Sequence, residues 1–403
     1  RLPNMIAAVL LVPLTAVFSW QLIRNSAAVL IAALLVTLSP MAIQFSATAF
    51  TDPLMTALLV AALLFAVGTP RPFWSGLLFG LAVLTKHQAW LFLPLVVGLA
   101  WLSDLQPRQW RSMAAGFLPP FVLLLLWQIV GRGSLDLWGV QMSNFGGVRP
   151  AWSWELLPRL TAWVGLIPVT LGSSLMFALF LLSTALIWSP GHKKQGAPAL
   201  ADRLLTLFIL GYLTLHWLLA VPVWDRYLLP LVPLAAVVLG RGINLAGDRF
   251  QVYRSAAGAR PLLVLLPLLL AFAILQMPAA VAAREGRFAV GGQRNADRGA
   301  WQVAGYLEQA PYGTVIYDHW FSWHWRYAFI DKGVYTSWFE HPQSLTADLK
   351  AFAAAPGDRY LVLPDDQSSL PVVHAVEKAG YSLRQELRTE SQPGMILYRL
   401  EPS

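Results

Sequence analysis

Residues 27–68 read AAVLIAALLVTLSPMAIQFSATAFTDPLMTALLVAALLFAVG, and Asp52 is the single charged residue in this stretch. A helix needs about 20 apolar residues to cross a bilayer core of ~30 Å, so the stretch can form two crossings. Asp52 falls between the two candidate spans, Ala27–Phe50 and Pro53–Gly68, where a helix end meets water. The stretch therefore predicts a membrane protein with its charges at the helix ends.

Apolar segments of this kind recur through the first 283 residues. The chain is 57% hydrophobic and 12% charged, whereas soluble domains are about 45–50% apolar and about 25% charged. We predict about ten spans, of which Leu160–Trp188 is longer than one crossing needs, so that part of it is expected at the interface. The spans are Leu2–Ile23, Ala27–Phe50, Pro53–Gly68, Phe73–Leu84, Ala89–Leu102, Ser112–Val130, Leu160–Trp188, Leu204–Val223, Tyr227–Gly240 and Pro261–Ala283.

The basic residues alternate between the two sides of this span pattern. One set of loops holds Arg24, Arg71, Arg108, Arg111, Lys193, Lys194, Arg203, Arg241, Arg249, Arg254 and Arg260. The opposite loops hold Lys86, Arg132, Arg149, Arg159 and Arg226. Short cytoplasmic loops carry the Lys/Arg excess, so the richer side is predicted to be the cytoplasm. The net charge of +8 follows from this topology, and we expect no nucleic-acid partner.

The composition changes after Ala283. Residues 284–403 carry ordinary charge density, and short strand patterns such as GTVIYD, GVYTSWF and RYLVLP alternate with helical ones. This pattern predicts a small α/β domain, with RQELRTE and GMILYRL pairing as a terminal hairpin. The domain follows an outward-going last span, so it is expected outside the cytoplasm. The predicted division is therefore a membrane bundle over 1–283 and a soluble α/β domain over 284–403.

Several polar residues lie at the outer ends of predicted spans. Asp52, followed by Pro53, fits a helix N-cap, and it also fits a carboxylate that positions a substrate hydroxyl. Lys86 fits a snorkelling side chain or a cation for a lipid-linked phosphate. His87 is a structural residue or, less simply, a metal ligand. Charges at such depth are expensive unless they serve a partner, which favours a site on this face.

The segment Trp224-Asp225-Arg226-Tyr227 is the most specific local pattern. An interface belt explains its aromatics, but a guanidinium directly before an apolar helix also fits bidentate binding of a phosphate. The longest outer loop, 131–159, adds Arg149 and Glu155 as candidate substrate-binding residues.

An aromatic run, YDHWFSWHWRYAF at 317–329, lies in the soluble domain. It fits a core helix or a surface that stacks on sugar rings. The chain has no cysteine, which excludes disulfides, thiolate catalysis and Cys-bound metals. The remaining histidines, His192, His216, His341 and His374, show no ligand spacing. No cofactor is predicted, and dependence on a divalent metal stays open.

Four segments in this order resemble the GT-C glycosyltransferases of the dolichyl-phosphate-mannose–protein mannosyltransferase-like superfamily, which includes the aminoarabinose lipid A transferases. They are RLPNMIAAVL, LSPMAIQFSATAFTDPLMTALLVAALLFA, GLLFGLAVLTKHQAWLFLPL and DRYLLPLVPLAAVV. The resemblance covers roughly residues 1–283. It implies a GT-C-like helix bundle in a plasma membrane, with bacterial inner membrane as the expected location.

The resemblance also implies an activity. Such an enzyme moves a sugar, with inversion, from a polyprenyl-phosphate donor to a protein, lipid or glycan acceptor outside the cytoplasm. By motif, Asp52 corresponds to a supporting acid, and Lys86, Arg226 and Tyr227 correspond to the donor-phosphate site. Neutralising charge on the leaving phosphate would be electrostatic catalysis.

One departure from the family pattern is serious. The family's catalytic carboxylate lies in a first outer loop that has no counterpart in this sequence, so the general base is expected outside these 403 residues. We therefore expect an N-terminally shortened sequence. A transporter or flippase and a non-catalytic glycan- or lipid-binding membrane protein remain the alternatives.

Overall fold

The computed structural model describes residues 1–68, 70–133, 137, 149–190, 196–221, 223–249, 262–288, 290, 298–319, 322–339, 341–365, 369–391 and 394–402. The chain divides into two compact units, Arg1–Gly292 and Gln293–Ser403. Residues 134–136 and 138–148 of the outer loop 131–159, together with Lys193, Lys194, Arg254 and Arg260, lie outside the described residues.

The described part of the first unit is entirely helical apart from its connections. Two short 3₁₀ helices, His87–Phe92 and Asp225–Leu228, precede longer helices. The α-helices are α1 Leu2–Ile23, α2 Ser26–Thr37, α3 Pro40–Ser46, α4 Asp52–Ala66, α5 Pro72–Thr85, α6 Leu93–Leu102, α7 Pro107–Arg132, α8 Ser153–Thr170, α9 Ser174–Ile187, α10 Ala197–Leu218, α11 Leu231–Arg249 and α12 Leu262–Arg284.

The helices differ in how well they match the ten predicted spans. Among the described residues, five are long and apolar enough to cross a membrane, or up to seven if each of two bent pairs forms one span. Three further apolar helices are shorter, Asp52–Ala66, Pro72–Thr85 and His87–Leu102. Together these features make the first unit a multi-pass membrane bundle.

The predicted span Leu160–Trp188 is not one helix. It bends by 96° between α8 and α9. Gly172 takes a left-handed φ of 90° at the bend, and Ser173 caps α9 by accepting a hydrogen bond from the Met176 N–H. A left-handed glycine followed by a serine cap ends one helix and starts another, which explains the excess length.

Glycines allow α5 and α7 to cross at very short distance. A methyl group at Gly76 would overlap the backbone carbonyl of Met113, and one at Gly116 would overlap that of Phe73. Gly80, one turn after Gly76, also faces the backbone of α7 at Phe117. Small residues spaced by four are a common way for membrane helices to approach closely, since lipid leaves van der Waals packing as the main attraction.

Arg241 does not lie in a loop, contrary to the sequence prediction. Helix α11 continues past it to Arg249, and the Arg241 side chain is only 5% exposed. Its Nε lies 2.8 Å from a carboxylate oxygen of Asp202, and its Nη2 donates to the Leu22 carbonyl at 2.7 Å. The pair therefore ties α1, α10 and α11 together inside the bundle.

The second unit is a five-stranded sheet covered by helices. Its elements are α13 Arg298–Tyr306, β1 Thr314–Asp318, α14 Ser322–Ala328, β2 Val334–Trp338, α15 Pro342–Ala351, β3 Arg359–Pro364, α16 Leu370–Lys378, β4 Tyr381–Arg388 and β5 Met395–Pro402. The strand order is β2-β1-β3-β5-β4. Strands β1, β2 and β3 are parallel, and β5 is antiparallel to both β3 and β4.

This unit confirms the predicted α/β fold and the terminal hairpin. Within the aromatic run, the described helix α14 buries Trp325 completely, which agrees with the core interpretation for that residue. Trp325 and Phe329 pack with Ile316 and Val334 on one face of the sheet, while Leu345 and Leu349 pack on the other with Leu361. The chain is thus a helical polytopic membrane protein with a C-terminal α/β domain.

Candidate functional site

Asp52 and Lys86 meet at the ends of two neighbouring helices. Helix α4 begins at Asp52, and the N-cap residue is Thr51, so the N-cap interpretation of Asp52 is wrong by one position. Lys86 directly follows α5 in an extended conformation, with φ of −160°. Its Nζ donates to Oδ1 of Asp52 at 2.5 Å. The carboxylate is 2% exposed and the ammonium 22%, so the pair reaches the surface through Lys86.

Arg226 and Tyr227 lie against the same pair. The Lys86 Nζ lies 5.1 Å from the centre of the Tyr227 ring. The Arg226 guanidinium carbon lies 4.1 Å from the Trp224 ring, 4.6 Å from the Phe50 ring and 5.8 Å from the Tyr227 ring. Aromatic faces attract cations through their quadrupole. The Tyr227 ring therefore holds two positive groups at one helix end.

The backbone N–H of Arg226 has a hydrogen-bond acceptor, whereas one of its side-chain donors has none in the part of the chain that the structure describes. The Asp225 carboxylate accepts the backbone N–H of Arg226 at 2.6 Å. Within the described residues, the Nε–H of Arg226 is buried and has no hydrogen-bond partner. A buried donor left unpaired is unfavourable by about 1–3 kcal/mol. The site therefore retains capacity for an acceptor from outside the chain.

Two residues that the sequence did not indicate fix the backbone of Tyr227. The hydroxyl of Tyr212 donates to the Tyr227 carbonyl at 2.8 Å, and the Gln88 amide donates to the same carbonyl at 3.1 Å. Gln88 also bonds the Tyr212 hydroxyl, and His216 stacks on the Tyr212 ring at 4.2 Å. The signal that could have indicated these residues is the presence of polar side chains in otherwise apolar segments.

Asn4 is a third residue that the sequence analysis missed. Its amide donates to the carbonyls of Thr48 and Phe50 at 3.0 and 2.6 Å. These bonds hold the segment before Asp52, including the Phe50 ring that faces Arg226. Helix α1 therefore contributes to the site through a single buried amide.

Arg149 and Glu155 bind each other. Two hydrogen bonds of 2.7 Å join the guanidinium to the carboxylate. Next to them, Pro150 and Leu219 form an antiparallel bridge, and Arg159 donates to the carbonyls of His216, Trp217, Leu219 and Val221. This cluster joins the end of the outer loop to the segment that leads to Arg226.

His87 begins the 3₁₀ helix after Lys86 and is half-buried. Among the described residues, no group of three His, Cys, Asp or Glu side chains is arranged to hold a metal ion. The structure therefore brings Asp52, Lys86, Asp225, Arg226 and Tyr227 together at one helix end.

An apolar groove of about 380 Å³ lies among α8, α9, α10 and α11. Its lining includes Leu228 and Leu231, and also Trp188 and Thr206. Leu228 directly follows Tyr227 in the chain. The groove lining therefore includes a direct chain neighbour of Tyr227.

The first unit is thus a polytopic membrane bundle in which two cations and several aromatic rings meet at the helix ends. No family model and no curated protein matches the chain. Its fold is found in ArnT from Cupriavidus metallidurans bound to undecaprenyl phosphate, with a TM-score of 0.56, 14% identity, and coverage of 99% of this chain and 83% of that one.

Apo ArnT gives a TM-score of 0.55 and 12% identity over the same shares of both chains. The arabinofuranosyltransferase AftD from Mycobacteria aligns with a TM-score of only 0.46 and 17% identity, over 97% of this chain and 33% of AftD. The comparison with ArnT confirms the GT-C-like fold that the sequence resemblance implied.

Proposed function

We propose that this chain is a membrane glycosyltransferase that takes a sugar from a polyprenyl-phosphate donor and transfers it to a protein, lipid or glycan acceptor. The reaction would occur on the extracytoplasmic face, where the C-terminal domain is also expected, and would invert the anomeric centre. The fold it shares with ArnT, a protein crystallised with undecaprenyl phosphate, supports the donor class.

Arg226 is the observation that carries the proposal. Its guanidinium lies among three aromatic faces, its Nε–H is unpaired in the described residues, and the Lys86 ammonium contacts the same Tyr227 ring. Lys86 is already paired with Asp52, but the buried Nε–H of Arg226 has no acceptor among the described residues, which is unfavourable. A lipid-linked phosphate supplies that acceptor at headgroup depth through a charge-assisted hydrogen bond.

The apolar groove supports a lipid carrier rather than a soluble phosphate. Because Leu228, one of the lining residues, follows Tyr227 in the chain, a carrier whose phosphate meets the cations can extend its hydrocarbon chain toward the groove. The apolar lining can then pack against isoprenoid methylenes, and van der Waals contact is the main attraction because the chain is already in lipid. We assign Arg226 and Lys86 to the phosphate and the groove to the chain.

In the reaction, the bond between the sugar and the phosphate oxygen breaks, its electron pair stays on the leaving phosphate, and the acceptor oxygen attacks the sugar. The acceptor hydroxyl gives its proton to a general base, which is expected outside these 403 residues. Negative charge develops on the leaving phosphate, and Lys86 and Arg226 stabilise it. Asp52 keeps Lys86 in place through its 2.5 Å ion pair. Because that pairing occupies the Asp52 carboxylate, we assign it a positioning role and not that of the base that deprotonates the acceptor.

Binding of undecaprenyl phosphate to the detergent-solubilised full chain tests the donor assignment. We expect saturable binding by native mass spectrometry, a loss of about 10–100-fold in affinity for Arg226→Ala, and a similar loss for Lys86→Ala. Arg24→Ala is the matched control, because Arg24 ends α1 and hydrogen-bonds Gln21, on the predicted cytoplasmic side.

Transfer is tested separately in proteoliposomes with undecaprenyl-phosphate sugars carrying a radiolabel. A new glycosidic bond, lost in Arg226→Ala, supports the enzyme. Label that crosses the bilayer while still attached to its carrier indicates a flippase. Wild-type chain that fails to bind undecaprenyl phosphate, or Arg226→Ala that binds it normally, refutes the donor site.

A further inference from the structure

A small cavity lies in the C-terminal unit, beside the end of helix α15. Its volume of about 250 Å³ is close to the lower limit of ~300 Å³ for ligand pockets and far above the ~30 Å³ of one water molecule. Its lining includes Ala353 and Ala355, which follow α15, and Arg359, Tyr381 and Leu400, which belong to β3, β4 and β5. The cavity can therefore admit a small molecule.

The strand residues of this lining share one face of the sheet. Tyr381, Leu400 and Leu361 belong to the apolar cluster that also contains the buried leucines of α15. Arg359 lies two residues before Leu361 in β3, and side chains two apart in a strand project from the same face. The Tyr381 hydroxyl donates to the Leu349 carbonyl of α15 at 3.0 Å. Arg359 and Tyr381 therefore lie on the side of the sheet that α15 covers.

Arg359 is a buried cation of which only one end has hydrogen-bond acceptors. Its side chain belongs to a residue that is 8% exposed, and the ion pairs that the described part of this unit forms join other residues. Its Nη2 donates to the carbonyls of Phe352 and Ala355, just after α15. Its Nη1 is buried and has no hydrogen-bond partner within the described ranges. Binding the end of the helix therefore accounts for Nη2 and leaves Nη1 without an acceptor.

A buried guanidinium is unfavourable unless a counter-charge and acceptors replace its hydration. The carbonyls after α15 carry only partial negative charge. Guanidinium groups pair most strongly with carboxylate and phosphate oxygens. We infer that this cavity binds a small molecule through an oxyanion, a carboxylate or a phosphate group, which pairs with Arg359.

The other charged residues of the lining are already paired. Asp358 accepts a hydrogen bond from Arg399, and a carboxylate oxygen of Glu401 lies 3.1 Å from Nη1 of Arg384. Alternation along β5 also places the Arg399 and Glu401 side chains on the opposite face of the sheet from α15. Arg359 therefore supplies the charge that the oxyanion would meet.

Isothermal titration calorimetry on the detergent-solubilised full chain, at constant ionic strength, tests this cavity. The probes are glucuronate and inorganic phosphate, and glucose is the neutral comparison because it lacks the carboxylate of glucuronate. We expect saturable binding of at least one oxyanion and none of glucose. Binding of glucuronate alone would assign the cavity to a carboxylate, and binding of phosphate alone would assign it to a phosphate group.

Two substitutions address the cavity in different ways. Arg359→Gln should weaken oxyanion binding by about 10-fold or more, because a hydrogen bond to a charged group is lost. Ala355→Leu retains Arg359 but fills part of the cavity, so it should also weaken binding, and it tests the site even if Arg359→Gln does not fold. Ala354→Leu is the matched control, because Ala354 is exposed and lies outside the lining. It should bind as the wild type does.

The inference uses no residue of the Lys86 and Arg226 site, and the same titrations in Arg226→Ala separate the two proposals. Oxyanion binding that persists in Arg226→Ala and is weakened by Ala355→Leu supports the cavity. The inference is overturned if the wild type binds neither oxyanion, if glucose binds as tightly as glucuronate, or if Ala355→Leu binds normally. Binding that disappears in Arg226→Ala would belong to the bundle and would also overturn it.

Discussion

Ion pairs serve different purposes in the two units. In the bundle, Arg241 and Asp202 are 5% and 1% exposed, and Lys86 and Asp52 are 22% and 2% exposed. In the C-terminal unit, Lys332 and Glu308 are 35% and 62% exposed. A charge that loses its partner in water is re-solvated, whereas one enclosed by protein and lipid is not.

This difference indicates in which unit the removal of a single charge should affect stability most. Charged groups are few in the bundle, so each buried pair must either join helices, as Arg241 does, or prepare a site, as Lys86 does. In the C-terminal unit, the sheet and its two apolar faces provide the fold, and the surface pairs add little.

Asp202→Ala should give the largest loss of stability. It leaves the Arg241 guanidinium buried without its carboxylate, and breaking such a pair is unfavourable by about 3–5 kcal/mol. We expect little monodisperse protein in fluorescence-detected size exclusion. Combining Asp202→Leu with Arg241→Met should restore part of the yield. A stable Asp202→Ala protein would show that the pair does not tie the three helices together.

Removing Lys86 should lower the free energy of unfolding more than removing the charge of Asp52. Lys86→Ala strands a carboxylate that is 2% exposed, with an expected loss of about 2–4 kcal/mol. Asp52→Asn leaves an ammonium that can reach water, so about 1 kcal/mol is expected. Thermal unfolding of the two variants in one detergent checks the order. Equal losses would contradict the burial argument.

Gly76→Ala should destabilise the bundle by about 1–3 kcal/mol, because the added methyl group overlaps the Met113 carbonyl and forces α5 away from α7. The matched variant in the other unit is Gly305→Ala, where no atom lies within 4 Å of the added group. That change should be neutral or stabilising by about 0.5–1 kcal/mol. Melting temperatures measure both, and a harmless Gly76→Ala would mean that the crossing can open without loss.

Lys332→Ala should have the smallest effect, a change in melting temperature of less than about 1 °C at pH 7. The Lys332 ammonium lowers the pKa of the Glu308 carboxyl by hydrogen bonding to it. Stability from this pair is therefore present above the unfolded pKa of about 4.3 and is lost as pH falls through the lower folded pKa. The melting temperatures of the wild type and the variant should converge at low pH. A difference that grows on acidification would contradict this direction of the pH dependence.

The sequence identified the charged residues at the centre of the site, but not the uncharged residues that hold the backbone around them. Asp52, Lys86 and Arg226 were found because a charge stands out in an apolar chain, and family resemblance linked them. Gln88, Tyr212 and Asn4 are uncharged and distant in sequence, so their shared contacts with the Tyr227 and Phe50 backbone appear only once the helices are packed. Arg241 was placed in a loop because a charge after an apolar run normally ends a span.

The fold was likewise predicted where the sequence signals are local and missed where they are not. Strand and helix patterns in residues 298–402 predicted the C-terminal sheet, because alternation and turn residues are local signals. The break at Gly172 and Ser173 was missed, since both flanking helices are equally apolar and hydropathy alone does not register a change of direction. Length indicated that Leu160–Trp188 exceeds one crossing, but it did not locate the 96° bend between its two helices.

Arg159 and the bridge between Pro150 and Leu219 connect the end of the outer loop to the segment that leads to Arg226, so a displacement of one is transmitted to the other. Under the proposed function, a substitution in residues 149–159 that alters acceptor preference would also displace the segment carrying Arg226 and so affect the donor phosphate. A change of acceptor alone is therefore better sought at positions away from this connection.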